Sequence, residues 1–498
     1  MAKSKLHQSL LDSEFTLDDI VFPPLEIPNF EWKDVDLTTK LTKNLTLKSP
    51  LMSSPMDTVT GSEMAILMAL LGGIGVIHYN FPTLEDQIRE VEKVRRFEAG
   101  FVLNPVVLNK NATVGTVFEA ADKNGFFSYP ITLDGTLKTP MIGFVTRRDV
   151  RYQEDLGKSV LEVMTPKAKL IVAHKRNTLD KNDIRAANKI IRDHNLDTLP
   201  IVDDQFRVVA LVTDSDLSKD EKYPVATKDQ NQQLKVLVAV ESRLKTAQER
   251  IMAAKAAGAS GIVVDARNIF QDHLEIAKWS KKHAPDLEVI LGNVVTKEVV
   301  VEAMKYVGKF IDAFRIGMGT GETCVTTESL GLGRSLGSAV YEVAQALIPF
   351  KKKFGHIGLI ADGGIKTPHH IVGALMLGSD CAMMGSELAG LEESPIRAEY
   401  NSERQQMIKT VRGMGSVEAI REKAGANRYM VTETAALDRF PEGIKKTIAY
   451  KGAGEPYLKM LIAGIRQAFH GLGYKNIGQL QTKGIAYLGR KAISKGTL

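Results

Sequence analysis

Cysteine is scarce in this chain, which has only Cys324 and Cys381 among its 498 residues. Two cysteines cannot form the disulfide framework on which small secreted proteins depend. The first residues, Met-Ala-Lys-Ser-Lys, lead into a polar and acidic stretch and not into the apolar segment of a secretory signal. Both features predict a protein of a reducing compartment, and we expect a cytoplasmic one.

Long apolar runs are also missing. The longest extends from Met64 to Ile77 and has 14 residues, whereas a membrane-spanning helix needs about 20. We therefore predict no membrane association, and we interpret this run as a buried helix that leads through Gly72 and Gly73 into a buried strand. The net charge is +6, with Lys and Arg spread along the chain. No nucleic-acid partner is predicted from this distribution, whereas a small anionic substrate is compatible with it.

Short apolar stretches alternate with helical patterns, as in parallel βα units, whose strands are buried on both faces. Eight such stretches predict an α/β fold, the (β/α)₈ or TIM barrel. An open, doubly wound sheet is the alternative that the patterns leave. The eight predicted strands lie near Leu47–Met52, Gly73–Ile77, Leu234–Val240, Gly261–Val264, Leu287–Leu291, Ile311–Ile316, Ile357–Ile360 and Cys381–Met384.

The interval between the second and third predicted strands holds about 150 residues, far more than a βα connection needs. It contains an internal repeat. The segments that begin at Tyr129-Pro-Ile and Ile142-Gly-Phe-Val-Thr match those that begin at Leu199-Pro-Ile and Val209-Ala-Leu-Val-Thr, with offsets of 70 and 67 residues. We interpret the repeat as a paired module inserted into a barrel loop. The predicted boundaries are 1–104 and 226–498 for the barrel and 105–225 for the insert, with copies at about 105–160 and 161–225.

Small, polar and glycine residues directly follow the predicted strands, where the active sites of such barrels lie. Asp362-Gly-Gly and Gly385-Ser386 follow the seventh and eighth strands, and their glycines let backbone N–H groups approach a phosphate. Asp362 itself would accept hydrogen bonds from ribose hydroxyls. Cys324 follows the sixth strand beside three closely spaced glycines, a setting that suits a nucleophile or an ion site. A buried, inert thiol is the alternative.

Several motifs occur in the order and spacing of one enzyme family. They are Phe15-Thr-Leu-Asp-Asp-Ile, Ser53-Ser-Pro-Met-Asp-Thr-Val-Thr, Gly72-Gly-Ile-Gly-Val-Ile-His, Gly292-Asn-Val-Val-Thr, Arg315 to Thr326, Ala361-Asp-Gly-Gly-Ile, Met384-Gly-Ser, Arg412-Gly-Met-Gly-Ser, Asn427-Arg-Tyr and Pro441-Glu-Gly. With these motifs the chain resembles the inosine-5′-monophosphate (IMP) dehydrogenase and GMP reductase family over nearly its full length. Each copy of the repeat also resembles a cystathionine-β-synthase-type (CBS) motif. Two such motifs form a Bateman module, which this family has after barrel strand two.

The resemblance implies a two-stage oxidation of IMP to XMP with NAD⁺, in guanine nucleotide biosynthesis. Cys324 would attack C2 of the purine, hydride would leave for NAD⁺, and water would then hydrolyse the covalent thioimidate. The attack requires a thiolate, because a neutral thiol is a weak nucleophile. Arg428 would activate the water, with Tyr429 and Thr326 as helpers. A mobile flap at about 400–450 would close over the site during this second stage.

The resemblance also implies ligand sites and an assembly. IMP would be held by Ser54, Met56, Asn293, Arg315, Asp362, Gly363, Gly364, Gly385, Ser386, Arg412, Gly413, Met414, Gly415 and Glu442. NAD would contact Asp265, Gly317, Met318 and Gly319, and potassium (K⁺) would bind the carbonyl groups of Gly319, Gly321 and Cys324. In the CBS copies, an adenine or guanine nucleotide would contact Thr146, Asp149, Thr213 and Asp216. The implied assembly is a homotetramer, with octamers formed through the Bateman modules.

The sequence departs from the family pattern where ligands are expected. Glu322 stands two residues before Cys324, where the family usually has a serine that contacts the IMP phosphate. A carboxylate about 4 Å from a phosphate costs about 1 kcal/mol per charge pair in water and about 4 kcal/mol in a partly dry site. This cost is avoided if Glu322 turns away or pairs with a cation such as Arg315.

Three further departures lie in the cofactor segment, in the flap and in the stretch 331–337. Ile269 and Phe270 are bulkier than the small residues that the family usually has in the cofactor segment. Val411 stands where a tyrosine is common, and the stretch 331–337 lacks the usual Pro-Gln. Since these changes lie at ligand contacts and not in the strands, they affect the predicted activity more than the predicted barrel.

Two other functions stay open. GMP reductase shares the barrel, the cysteine and Glu442, but it uses NADPH, releases ammonia and lacks the Arg-Tyr pair. Arg428 and Tyr429 therefore favour the dehydrogenase, while Arg267 beside the cofactor segment would suit the extra phosphate of NADPH. The third hypothesis is a catalytically weak or inactive nucleotide sensor, which Glu322 and the altered cofactor segment motivate.

Overall fold

A computed structural model gives the fold and describes residues 14–97, 102–103, 105–181, 184–213, 222–421 and 440–488. The chain divides into two compact units. The first consists of Met1–Arg95, Val225–Lys228 and Leu234–Leu498, and the second of Arg96–Pro224 and Asp229–Gln233.

The first unit contains a closed barrel of eight parallel strands, which confirms the predicted (β/α)₈ fold and rules out the open sheet. In both chain order and spatial order the strands are β1 (Leu51–Ser53), β2 (Ile74–Ile77), β3 (Leu237–Val240), β4 (Gly261–Asp265), β5 (Glu288–Val294), β6 (Ala313–Ile316), β7 (Gly358–Asp362) and β8 (Cys381–Met384). Every strand residue except Asp362 is buried. Helices outside and side chains inside cover both faces of the sheet, which explains the continuous apolar runs in the sequence.

One main helix follows each strand. These helices are α1 (Ser62–Leu70), α2 (Leu84–Arg96), α3 (Leu244–Ala256), α4 (Gln271–His283), α5 (Lys297–Val307), α6 (Leu336–Phe354), α7 (Pro368–Met376) and α8 (Gly454–Leu472). The residues at the start of α7 show why the helix begins there. The Thr367 hydroxyl accepts a hydrogen bond from the His370 amide at 3.3 Å, and Pro368 occupies the first turn. Within the described residues, no helix has both the length and the apolarity to cross a membrane.

Smaller elements complete this unit. Short strands pair at Ile20–Val21 with Tyr487–Leu488 and at Thr39–Lys40 with Thr46–Leu47. A three-stranded antiparallel sheet, here named the flap sheet, contains Glu399–Asn401, Gln406–Arg412 and Lys445–Ala449. Short helices occur at Thr326–Leu330, Ser386–Ala389, Val417–Arg421 and Ile477–Lys483.

The two cysteines lie in different environments. Cys381 lies in the core with aliphatic neighbours such as Val263, Ile290 and Ile360, and its side chain is fully buried. Burial raises the pKa of the Cys381 thiol far above its ordinary value. Because the thiolate is the reactive form, Cys381 is a packing residue. Cys324 instead lies in the loop after β6 and is partly exposed.

The second unit contains two copies of one arrangement of strands and helices. One four-stranded sheet contains Leu108–Asn109, Tyr129–Thr132, Met141–Val145 and Thr165–Pro166, and the other contains Val102–Leu103, Ala173–His174, Thr198–Val202 and Val208–Thr213. Helices Val114–Asn124 and Ile184–His194 occupy equivalent places in the two copies. The repeat found in the sequence therefore corresponds to the central hairpin of each sheet. The assignment of this unit as a Bateman module stays a prediction.

A buried carboxylate stands at the amino-terminal end of the barrel. Asp380 precedes β8, and its Oδ2 accepts a hydrogen bond from the Leu359 amide at 2.9 Å. The cation Lys351 is a weak partner, since its Nζ is 4.0 Å from that oxygen, and the His356 imidazole lies 3.9 Å from it. Burial raises the pKa of Asp380 to about 6, despite the opposing charge of Lys351. Burial also lowers the pKa of His356 to about 4, so this imidazole is neutral near pH 7.

We predict that Asp380→Asn stabilises the protein more at pH 8 than at pH 4.5. The folded pKa of about 6 lies above the unfolded value near 3.9. Between about pH 4 and 6 the folded state holds a proton that the unfolded state has lost, so the stability contributed by protonated Asp380 is fully present below about pH 4 and is lost as the pH rises through 6. Asparagine keeps the oxygen that faces Leu359 and carries no charge. The gain in free energy of unfolding should be about 2 kcal/mol larger at pH 8 than at pH 4.5, measured by urea denaturation.

Asp312→Asn is the matched control, because the Asp312 carboxylate accepts from the Val289 amide at 2.8 Å but also pairs with Lys281 at 2.6 Å. This variant should lose stability at pH 8, since it leaves a half-buried ammonium without its partner. An Asp380→Asn effect that is the same at both pH values would contradict the assignment of Asp380 as the titrating group.

Candidate active site

An open cleft lies at the carboxyl ends of the barrel strands. Its walls come from the loops after several different strands, as is usual for this architecture. The lining residues are Ser54, Met56, Arg267, Asn293, Arg315, Gly317, Met318, Gly319, Thr320, Gly321, Glu322, Thr323, Cys324, Thr326, Asp362, Gly363, Gly364, Ile365, Gly385, Ser386, Gly413, Met414, Gly415 and Glu442. Most residues predicted for IMP, NAD and potassium are therefore brought together in one place.

The loop after β6 presents Cys324 to this cleft. Gly317 and Gly319 have φ angles of 144° and 74°, in the region that favours glycine. The amide of Cys324 donates to the Gly321 carbonyl at 3.0 Å, which closes a tight turn just before the thiol. Cys324 also forms a backbone bridge with Gly443, so it lies directly against the segment that carries Glu442.

A chain of polar contacts leads from the thiol into the protein. Cys324 Sγ is 3.2 Å from Thr326 Oγ1, and this hydroxyl donates to Glu442 Oε2 at 3.1 Å. The other carboxylate oxygen of Glu442 accepts from Arg267 Nη1 at 2.7 Å. Thr326 and Glu442 are both buried. The arrangement places a hydroxyl with an ion-paired carboxylate behind it within reach of the sulfur.

A buried ion-pair network forms the floor of the cleft. Arg315 Nη1 donates to Asp265 at 2.6 Å, and Arg315 Nε donates to Asp362 Oδ2 at 2.9 Å. Asn293 Nδ2 donates to the same Asp362 oxygen at 3.1 Å and to the Gly317 carbonyl at 2.5 Å. Asn293 Oδ1 is buried and has no hydrogen-bond partner among the described residues. It is an acceptor that a ligand donor could satisfy.

Asp265 does not line the cleft, although it was predicted to contact NAD. Its side chain is fully buried and bound to Arg315. The bulky Ile269 and Phe270 of the same segment also lie outside the cleft lining, and the Phe270 ring packs edge-on against His273 at 5.4 Å between centroids. Both bulky side chains therefore lie outside the wall of this cleft.

Glu322 is paired with lysines and not with Arg315. Its carboxylate hydrogen-bonds to Lys366 Nζ and lies 3.3 Å from Lys446 Nζ. Burial opposes its ionisation, but the hydrogen bonds and charges of Lys366 and Lys446 outweigh burial and lower the pKa of Glu322. Glu322 is thus a paired anion. The partner suggested from the sequence, Arg315, is instead occupied by Asp265 and Asp362.

Glycines at the predicted phosphate loops are required by close packing. Gly363 and Gly364 have φ angles of 97° and 70°. A Cβ on Gly363 would collide with the Thr320 hydroxyl, and one on Gly385 would come within 3.3 Å of Met56 Sδ. These loops consequently present bare backbone to the cleft beside Ser386. Bare backbone at a loop is the feature that lets N–H groups reach an anion.

Arg412 is the other predicted ligand residue that does not line the cleft. Its Nη2 binds Asp57 Oδ2 at 2.6 Å in a neighbouring cleft shared with His78 and Asn80. Burial lowers the pKa of His78 to about 4, so this imidazole is neutral near pH 7. The ion pair between Arg412 and Asp57 joins the flap sheet to the loop after β1. Arg412 therefore positions the adjacent Gly413–Gly415 segment, which does line the cleft.

The predicted potassium ligands are backbone carbonyls. Such hard oxygen donors suit an alkali cation, and Gly319 and Gly321 lie in the same glycine-rich turn as Cys324. The Gly321 carbonyl already accepts from the Cys324 amide at 3.0 Å, so a cation would share that oxygen. In the part of the chain that the structure covers, no group of three or more His, Cys, Asp or Glu side chains is arranged to hold a metal.

Sequence reasoning missed the role of Arg267. It was considered only as a partner for a cofactor phosphate, whereas its guanidinium binds buried Glu442. Its place two residues after the end of β4 was the available signal, since residues at strand ends reach the cleft. Thr320, Thr323 and Ile365 also line the cleft, although none of them was predicted to contact a ligand.

The remaining predicted residues belong to the flap and to the second unit. Arg428, Tyr429 and Asp216 lie outside the described residues. Thr213 ends a strand of the second sheet. Asp149 Oδ2 accepts from the amide and hydroxyl of Thr146 at 2.7 and 2.8 Å, and thereby caps the short helix Arg147–Val150. A nucleotide at that copy would compete with this cap.

Comparisons with known proteins agree on one family. The model of the IMP dehydrogenase / GMP reductase domain matches residues 14–492. Inosine-5′-monophosphate dehydrogenase of Schizosaccharomyces pombe is 38% identical over 93% of this chain and 86% of its own length. The enzyme of the same name from Toxoplasma gondii is 41% identical over 88% of this chain and 76% of its own length.

Two solved structures that superpose on this chain are of GMP reductase, which belongs to the same family. A cysteine-to-alanine variant of GMP reductase from Trypanosoma brucei, in complex with guanosine 5′-monophosphate, superposes with a TM-score of 0.84 and 27% identity, covering 98% of both chains. The same enzyme in complex with guanosine 5′-triphosphate has a TM-score of 0.75 and 25% identity, over 95% of this chain and 97% of that one. The barrel, the cysteine loop and these matches together show that the chain belongs to the IMP dehydrogenase / GMP reductase family.

Proposed function

We propose that the protein is an IMP dehydrogenase, which oxidises IMP to XMP with NAD⁺ in guanine nucleotide biosynthesis. The observation that carries this proposal is the chain of contacts from Cys324 through Thr326 to Glu442, at the edge of a cleft whose walls include the glycine loops after β7 and β8. The identity of 34–41% to curated IMP dehydrogenases supports the choice of reaction.

The first stage is the attack of Cys324 on C2 of the hypoxanthine ring. The thiol must lose its proton to attack, and among the described residues the Thr326 hydroxyl, at 3.2 Å, is in hydrogen-bond contact with the sulfur. Bound NAD⁺ would accept the hydride that leaves C2. Glu442 accepts hydrogen bonds in this structure, so it is suited to receive a ring N–H of the purine and to orient C2 towards the sulfur.

The second stage is hydrolysis of the sulfur–carbon bond. Water adds to C2, the bond to Cys324 breaks, and the thiol is regenerated as XMP forms. We assign activation of this water to Arg428, with Tyr429 and Thr326 as helpers, from the match of Asn427-Arg-Tyr to the family motif. Thr326 lies on the Cys324 side of the cleft, within one hydrogen bond of the sulfur.

The ends of the substrate are assigned by chemistry. Asp362 is a partly exposed carboxylate, and its free surface suits the ribose hydroxyls. The bare backbone at 363–364 and 385–386, with the Ser386 hydroxyl, suits the 5′-phosphate. The floor network of Arg315, Asp265 and Asn293 would hold Asp362 in place from below.

GMP reductase is the second candidate, because the superposed structures carry that name. The two reactions share the cleft and differ in what attacks or leaves at C2. The Arg-Tyr pair at 428–429 favours water as the attacking group and hence the dehydrogenase. The predicted homotetramer or octamer, and nucleotide binding by the second unit, belong to this proposal as family features.

The decisive assay combines IMP, NAD⁺ and potassium and measures both NADH formation and XMP. We expect turnover by the parent protein and its loss in Cys324→Ala. Cys381→Ala is the matched control and should keep activity, since Cys381 lies in the barrel core. Consumption of GMP and NADPH with ammonia release, in the absence of IMP oxidation, would instead establish the reductase.

A second prediction concerns the hydroxyl beside the nucleophile. Thr326→Val removes the group that links Cys324 to Glu442, and a hydrogen bond to a charged group contributes about 1.5–3 kcal/mol. We therefore expect kcat to fall by about 10- to 150-fold, with little change in the thermal midpoint. Thr327→Val is the control, because the Thr327 hydroxyl binds only the Leu332 carbonyl, at 3.2 Å. Equal losses in both variants would argue against a specific role for Thr326.

A further inference from the structure

Glu322 forms the centre of an ion triad at the edge of the cleft. Its carboxylate contacts the ammonium groups of Lys366 and Lys446, which come from the loop after β7 and from the third strand of the flap sheet. We name Glu322, Lys366 and Lys446 the rim triad. One negative and two positive charges give it a net charge of +1. A phosphate approaching this edge therefore meets a group with net positive charge, although the triad member that lines the cleft is an acid.

The rim triad adjoins the loops assigned to the phosphate. Glu322 lines the same cleft as Gly364 and Ser386, and Lys366 follows Gly364 by two residues. The carboxylate is the more enclosed partner, with 20% of its side chain exposed, whereas the lysine side chains are 39% and 45% exposed. Because the ammonium groups sit on long stems open to solvent, they are free to change partners at little steric cost.

Backbone contacts fix the position of Glu322. The Ile444 amide donates to the Thr323 carbonyl at 3.0 Å, and the Val325 amide donates to the Glu442 carbonyl at 2.9 Å. These two bonds form a short antiparallel bridge. The ion pair between the side chains of Glu322 and Lys446 lies next to this bridge. The backbone on either side of Glu322 is therefore held against the segment of Glu442, which keeps the acid at the edge of the cleft.

We infer that Glu322 is a specificity-determining residue for the phosphate end of the substrate, which binds by exchange of ion-pair partners. An arriving 5′-phosphate takes Lys366 from Glu322, while Glu322 keeps Lys446 and so retains its place beside the nucleophile loop. This inference rests on the proposed function only in that the cleft binds a purine nucleoside 5′-monophosphate. It explains how an acid is tolerated where the family usually has a phosphate-contacting serine.

The exchange makes opposite predictions for the acid and the base. Glu322→Gln removes the competitor for Lys366 and raises the local charge, so the affinity for IMP should rise by about threefold to thirtyfold. Lys366→Met removes the group that the phosphate recruits, so the affinity should fall by about tenfold or more. The affinity for inosine, which has no phosphate, should change by less than about twofold in either variant.

The experiment is calorimetric titration of the full chain with IMP, GMP and inosine at low and high salt. Lys483→Met is the matched control, since Lys483 is an exposed lysine that pairs with Glu26 at 2.8 Å. It should bind all three ligands like the parent protein. Glu322→Ser serves as a second variant of the acid, and thermal midpoints show that each variant is folded.

Two results would overturn the inference. One is an unchanged IMP affinity in Lys366→Met, which would make Glu322 a simple repulsive group. The other is a loss of IMP affinity in both Glu322 variants, which would make the triad a purely structural contact. In either case the parent protein still binds nucleotides, so the proposed function survives. If the parent protein bound neither IMP nor GMP, both the inference and the proposed function would be wrong.

Discussion

Arg315 is the buried cation that organises the carboxyl ends of the barrel strands. It lies on β6 and binds Asp265 of β4 and Asp362 of β7, while Asn293 of β5 binds Asp362 as well. Four consecutive strands are thus joined by side chains at the level where the cleft begins. Removing one partner of a buried pair of this kind costs about 3–5 kcal/mol, because the other charge is left without compensation. The network fixes the cleft floor before any ligand arrives.

The same principle recurs at the sides of the cleft, where each acid has a defined basic partner. Glu442 pairs with Arg267 and Glu322 with its two lysines, and in the neighbouring cleft Asp57 pairs with Arg412. Each pair joins segments that are distant in the chain, so the loops around Cys324 are held by electrostatic contacts as well as by backbone turns. Pairing also limits the free negative charge in a cleft that is proposed to receive a nucleotide phosphate.

The family resemblance and the physical reading contribute different parts of the argument. The resemblance supplies the proposed reaction and the proposed water-activating pair at 428–429, and family membership itself is shown by the comparisons. The contacts around Cys324 supply a physical reason to propose this thiol and not Cys381 as the nucleophile, since one faces a polar chain and the other is buried in the barrel core.

The sequence by itself determined the barrel, because parallel strands covered on both faces must be continuous apolar runs, and β8 was predicted at its observed bounds, Cys381–Met384. It also located the glycine loops, whose φ angles only glycine adopts readily. It did not determine the ion pairs. Glu322 and Lys446 are 124 residues apart, and Arg267 and Glu442 are 175 apart. Their pairing depends on how separate loops are placed in space, which only the tertiary structure decides.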